Sequence, residues 1–148
     1  MKGYIEEVSK EGFEEWVAMG LELWPDNTAE GLAVEFKNLL ESAKEKAYLY
    51  KVNNKYVGFI NISLRNDYVE GSVSSPVGYV EGIYIKEDYR KMGIAKLLVE
   101  KGEKWAKGKG CSQMASDIEA HNTICYDFHL NIGFKEANRL ICFIKDID

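Results

Sequence analysis

The spacing of apolar side chains changes period along the chain, and each change marks an element. Residues 3 to 8 read as a short strand, after which Phe13, Trp16, Val17, Met19, Leu21 and Leu23 recur at mixed helical spacing between Glu11 and Trp24, where Pro25 ends the run. A second helical stripe, Leu32, Phe36, Leu39 and Leu40, follows Thr28, whose hydroxyl suits an N-cap, and extends to about Lys44. Two β-branched and aromatic runs, Ala47 to Val52 and Tyr56 to Leu64, flank Asn53-Asn54, residues that tolerate the tight turn of a hairpin. Arg65 to Pro76 is polar and rich in turn formers, and Val77 to Lys86 resumes as a strand long enough to lie centrally in a sheet.

Beyond that strand, Gly93 to Lys107 carries Ile94, Leu97, Leu98 and Trp105 on one helical face and stops at Gly108 and Gly110. Cys111 to Ser116 reads as a strand, His121 to Asn131 as a helix, and Phe134 to Ile147, where Leu140, Cys142 and Ile144 alternate, as one or two final strands. The resulting order, βααβββαβαβ, predicts an α/β fold of the α+β kind, a mixed sheet with helices on both faces. With two prolines and no linker-like tract or internal repeat, residues 1–148 are expected to form one domain.

Composition narrows the partners. A 148-residue chain that is 46% hydrophobic can bury a core of its own. Its net charge of -5 gives no overall footprint for a nucleic acid and suits a cationic partner. Three cysteines, Cys111, Cys125 and Cys142, fit neither a paired disulfide framework nor a four-ligand zinc site, so reduced thiols in the cytoplasm are expected. Two histidines without a ligand cluster around them predict no metal. The N-terminal stretch lacks the apolar core of a signal peptide and no apolar run approaches a membrane span, so a soluble, unprocessed protein off the membrane is expected.

The segment from Val80 to Ala106 is a strand, a basic turn with Gly93 and an amphipathic helix. Such a helix start offers unpaired backbone N–H groups and the positive end of the helix dipole to a pyrophosphate, and a glycine allows close approach. An ordinary strand-to-helix turn with a solvated Arg90-Lys91 pair satisfies the same pattern. Neither a Walker loop nor the dinucleotide glycine fingerprint occurs.

Arg90-Lys91-Met92-Gly93-Ile94-Ala95 resembles the Gln/Arg-x-x-Gly-x-Gly/Ala pyrophosphate loop of the GCN5-related N-acetyltransferases, and Asn122 with Ile132-Gly133-Phe134 resembles that family's second motif region. Leu23-Trp24-Pro25-Asp26, Tyr68-Val69-Glu70-Gly71, Ser75-Pro76, Val80-Glu81-Gly82-Ile83 and Ala115-Ser116-Asp117 are similar to segments of its aminoglycoside 6′-N-acetyltransferases. The resemblance implies a homodimeric enzyme that acylates the 6′-amine of aminoglycosides by direct attack of the amine on acetyl-CoA. It implies that Ile83, residues Arg90, Lys91, Met92, Gly93, Ile94 and Ala95, and Asn122 hold acetyl-CoA. Glu81 would bind the amine and take its proton, Asp26 and Asp117 would hold other amino groups, and Trp24 and Tyr68 would wall the sugar rings.

Most of the wider family has tyrosine four residues before the motif glycine, where this chain has His129, one helical turn beyond Tyr126. Either can hand a proton to the departing CoA thiolate. Every one of these residues also has a structural reading: the three acids as solvated or turn-capping carboxylates, Trp24 as a helix-packing side chain, His129 and Tyr126 as filling between helix and sheet. His121 reads as a solvated residue beside the helix start. A second reading keeps the enzyme and makes the acceptor a polyamine, another small amine or a protein amino group, and a third is a non-catalytic acyl-CoA-binding domain that keeps the same phosphate loop.

Overall fold

The computed structural model describes residues 3–148. Its elements are β1 (Gly3–Glu7), α1 (Lys10–Leu23), α2 (Ala29–Glu41), β2 (Glu45–Val52), β3 (Lys55–Arg65), β4 (Val77–Ile85), α3 (Ile94–Gly108), β5 (Met114–Ala115) and α4 (Thr123–Asn131), with one 3-10 turn at Glu87–Tyr89. The five strands form one mixed sheet in sequence order, antiparallel throughout except for the parallel pair β4 and β5. Asn53 and Asn54 both take positive φ, 49° and 66°, so the β2–β3 turn has the twist that antiparallel strands require. Thr28 caps α2 as expected, its hydroxyl accepting from the Gly31 amide at 3.0 Å.

Alternation along the strands divides the core between the two faces of the sheet. Leu49 and Phe59 join Trp16, Met19, Leu32 and Phe36 under α1 and α2, whereas Tyr50, Ile60, Ile62 and Val80 join Ile94, Leu98 and Val99 under α3. The buried Trp16 indole donates to Asn61 Oδ1 at 3.0 Å, which satisfies both polar groups inside the first cluster. On the other face α3 lies close to the sheet because Gly102 has no side chain, and a Cβ there would stand 2.7 Å from Ile62 Cδ1.

Two departures from regular pairing position the site. Register between β3 and β4 moves from Asn61–Gly82 to Ile62–Val80, leaving Glu81 opposite no residue, the signature of a β-bulge. The β4–β5 ladder consists of Gly78–Met114 and Tyr79–Ala115 alone. From Val80 onward, β4 therefore runs with no strand on its β5 side.

The sequence reading of the C-terminal stretch requires correction. Cys111 to Ser116 contributes only the two residues of β5, and Phe134 to Ile147 forms no strand. Its alternating apolar side chains meet no neighbouring ladder in the single chain: Phe143 and Ile144 are 92% and 97% exposed. Local alternation was present, but a strand exists only where another strand accepts its hydrogen bonds.

Candidate functional site

At the β4 bulge the Glu81 carboxylate is held from β3. Arg65 donates to it through two bonds, Nε to Oε2 at 3.0 Å and Nη2 to Oε1 at 2.8 Å, and the Ser63 hydroxyl donates to Oε2. Ser63 and Arg65 can both reach it because residues two apart on a strand share a face. The Arg65 guanidinium also lies 3.4 Å from the centroid of the Tyr79 ring. Hydrogen bonding to Glu81 chiefly raises the Arg65 pKa, so this cation stays charged.

Tyr79 extends the network by donating its hydroxyl to Asp117, in the loop that follows β5. Burial pushes the Tyr79 phenol well above its ordinary range, and the bond to Asp117 adds to the rise. Glu81 and Asp117, far apart in sequence, thus face the same space on either side of the point where β4 and β5 separate. Two carboxylates there can receive a multiply charged cation.

The other expected substrate contacts are distributed unevenly. Trp24 caps the C-terminal end of α1 and is half-buried, packed against Phe36 and Phe59 with ring centroids 6.3 and 6.1 Å away. Its ring lies over Gly82, where a Cβ would come within 2.5 Å of it, so Gly82 is the residue that admits the indole beside Glu81. Asp26 is exposed in the turn after α1. Tyr68 is 78% exposed on the β3–β4 loop.

The basic turn leads into α3 as the sequence suggests. Gly93 is the N-cap with φ 82° and no side chain to cap the helix, and Lys91 also takes positive φ, 63°. The amides of Ile94, Ala95 and Lys96 occupy the first helical turn, where no preceding carbonyl of the helix can accept them. A Cβ on Gly93 would meet nothing within 4 Å, so the approach to these amides is open. Arg90 Nε donates to the Ile85 carbonyl at 2.7 Å, bracing the turn against the end of β4, while Lys91 and Met92 are exposed. Ile83 packs into the cluster under α3, and Ala95 adjoins it. Asn122 caps α4 by accepting from the Cys125 amide at 3.1 Å, so its local role is to start the helix that carries His129 and Tyr126.

These last two side chains have separate surroundings. His129 Nδ1 lies 2.7 Å from the Cys125 carbonyl and Nε2 lies 2.8 Å from Ser116 Oγ, beside the end of β5. Tyr126 instead has the Arg139 guanidinium 6.0 Å from its ring centroid, at the start of the C-terminal stretch. His121 is exposed ahead of α4. The residues missed from sequence are Ser63, Arg65, Tyr79 and Ser116; only the alternation of Ser63 with Arg65 hinted at a polar face, and their partners depend on register.

Two hollows of the surface, between β1, β2, α2 and α3, contain none of these residues. Among the described residues no group of three His, Cys, Asp or Glu side chains could hold a metal ion, and no helix is long and apolar enough to cross a membrane.

Residues 10–134 match the acetyltransferase (GNAT) family. An aminoglycoside N(6′)-acetyltransferase type 1 of Salmonella enteritidis is 33% identical over 141 residues, 95% of this chain and 97% of that protein. One of the same name from Acinetobacter genomosp. 13 is 37% identical over 95% of this chain and 96% of its own length. Among solved structures, AAC(6′)-Iy in complex with the bisubstrate analogue CoA-S-monomethyl-acetylneamine superposes with a TM-score of 0.95 at 31% identity, covering 99% of this chain and all of that one. With its bulged β4, its open α3 start and this similarity along nearly its whole length, the chain belongs to the acetyltransferase (GNAT) family, in the group of the aminoglycoside N(6′)-acetyltransferases.

Proposed function

We propose that this protein transfers the acetyl group of acetyl-CoA to the 6′-amine of aminoglycosides, working in the cytoplasm as a homodimer. The observation that carries the reading is the pair Glu81 and Asp117, brought to one face where β4 leaves β5, with the uncapped start of α3 beyond the same strand. Aminoglycosides carry several ammonium groups, and one face with two carboxylates complements them. The pyrophosphate of acetyl-CoA would lie on the Gly93–Ala95 amides with Arg90 and Lys91 alongside, and its acetyl end would reach the unpaired side of β4 near Ile83. Asp117, Asp26, Trp24 and Tyr68 would hold the sugar rings and their remaining amines.

In the reaction the amine must lose a proton, its nitrogen must attack the thioester carbonyl, and the thiolate must leave. Glu81 receives the ammonium in place of Arg65 and accepts its proton, directly or through water, as the C–N bond forms. With no substrate present, Arg65, stacked on Tyr79 and paired with Glu81, keeps the face from accumulating uncompensated negative charge.

The dimer reading is supported by the C-terminal stretch. Leu140, Ile141, Phe143, Ile144 and Ile147 stand exposed on a stretch outside any helix or strand, and β5 lies at the edge of the described sheet. A second copy of this chain, its own stretch laid along that edge, satisfies both needs at once.

The reading is tested by incubating the purified protein with acetyl-CoA and, in parallel, kanamycin, spermidine and a lysine peptide while thiol release is followed. Release with kanamycin alone, or far faster than with the others, is expected. Preference for spermidine or peptide would move the acceptor to another amine class, and no release with any would leave a binding domain.

A further inference from the structure

His129 cannot reach a leaving group with either nitrogen as it stands. A carbonyl oxygen only accepts, so Nδ1, 2.7 Å from the Cys125 carbonyl, carries a hydrogen and spends it there. Nε2 points at Ser116 Oγ at 2.8 Å. Phe128 and Phe134 fix the ring plane by edge contacts, with centroids 5.6 and 5.2 Å from the imidazole. The neighbouring Cys125 sulfur is 3.8 Å from Nδ1, and burial raises its pKa, so it stays a thiol and makes no charge pair with the imidazole. The polar path outward from His129 therefore passes through the Ser116 hydroxyl.

Ser116 occupies a telling place. It is the residue immediately after the last β4–β5 pair, Tyr79–Ala115. Met114, two residues earlier and so on the same face, packs into the cluster under α3, and Ser116 itself meets α4. Asp117, the next residue, turns to the opposite face and meets Tyr79. Acceptor carboxylates and Ser116 thus stand on opposite sides of the opening beside β4. An amine that adds to a thioester carbonyl gives a tetrahedral intermediate, and the sulfur it expels needs a proton donor separate from the carboxylate that takes the amine's proton.

We propose that Ser116 is a catalytic residue that gives its hydroxyl proton to the departing CoA thiolate and is resupplied by His129. As the amine nitrogen bonds to the carbonyl carbon and the C–S bond breaks, the sulfur takes the hydroxyl proton of Ser116. Oγ takes the Nε2 proton of doubly protonated His129 in the same exchange, and the neutral imidazole regains a proton from solvent. Tyr126 stands outside this path, its ring beside the Arg139 guanidinium, which pairs with Glu136. The proposal rests on the acetyl-transfer reading and adds to it the identity of the proton donor.

The test compares Ser116→Ala, Ser116→Thr, His129→Phe and the double variant Ser116→Ala/His129→Phe in steady-state acetylation of kanamycin, with acetyl-CoA KM and thermal unfolding measured on each. Ser116→Ala is expected to lower kcat by about tenfold to a hundredfold with acetyl-CoA KM unchanged, and Ser116→Thr to restore most of it. The double variant is expected to be no slower than the slower single one, because both changes break one path. Wild-type kcat in Ser116→Ala, or multiplicative losses in the double variant, would overturn the relay. A slow His129→Phe beside an unimpaired Ser116→Ala would return the role to His129 alone, and a wild-type protein that releases no thiol with any amine would instead defeat the acetyl-transfer reading.

Discussion

Glu81 is a carboxylate already neutralised before any substrate arrives, since Arg65 holds both of its oxygens. Glu81→Gln is expected to lower kcat on kanamycin by about a hundredfold while leaving acetyl-CoA affinity intact, because the amide keeps the shape but accepts no proton. Unchanged turnover across the pH range would remove Glu81 from proton transfer. At the cysteines, surroundings set reactivity: Cys111 is buried and burial raises its pKa, whereas Cys142 lies exposed on the C-terminal stretch. Iodoacetamide is expected to label Cys142 first in the monomer and Cys111 only on unfolding, which peptide mass mapping reads directly. Glu81 and Asp117 were legible in the sequence through the motifs around them. Arg65 and Tyr79 were not, because a one-residue change in register decides which side chains share a face, and the bulge at Glu81 is such a change.

At the scale of elements, helices with a clear apolar stripe were readable to within a few residues, and so was the hairpin at Asn53-Asn54. Gly93, the N-cap of α3, and Gly102 within the helix have different tasks. A Gly93→Asp side chain meets open space but must adopt φ 82° and faces the amides that would hold pyrophosphate, so acetyl-CoA KM is expected to rise at least about tenfold with the fold retained. Gly93→Ala, which carries only the backbone strain, is expected to lose about 1 kcal/mol of stability and keep an acetyl-CoA KM close to wild type. Gly102 has a different task, and Gly102→Val, pressed against Ile62, is expected to destabilise by about 1–3 kcal/mol in a denaturant titration. The C-terminal stretch is where reading failed. Leu140, Cys142 and Ile144 alternate there, but strand formation needs an acceptor edge that the single chain does not place beside them.

For the whole molecule, that unpaired stretch and the open edge at β5 predict a concentration-dependent assembly: a chain ending at Arg139 is expected to sediment as a monomer where the full chain sediments as a dimer. Alkaline stability belongs to this scale as well. Tyr48, Tyr56, Tyr79 and Tyr84 all hold their protons more tightly than a free phenol, burial being the first cause in each. Groups with a raised folded pKa keep their full stabilisation below the unfolded value, about 10, and lose it as pH rises from there through the folded value. Melting temperature is therefore expected to fall above about pH 10, less steeply in Tyr79→Phe. The central claim concerns one nitrogen, and it is tested most directly by comparing kanamycin with a counterpart bearing a hydroxyl in place of the 6′-amine, with acetyl-CoA, by mass spectrometry of the products. The account predicts one acetyl group on the 6′-nitrogen of kanamycin, and a counterpart that binds through its remaining amines, more weakly as salt rises, without being acetylated. Acetylation of the counterpart at a ring amine elsewhere, at a comparable rate, would contradict it.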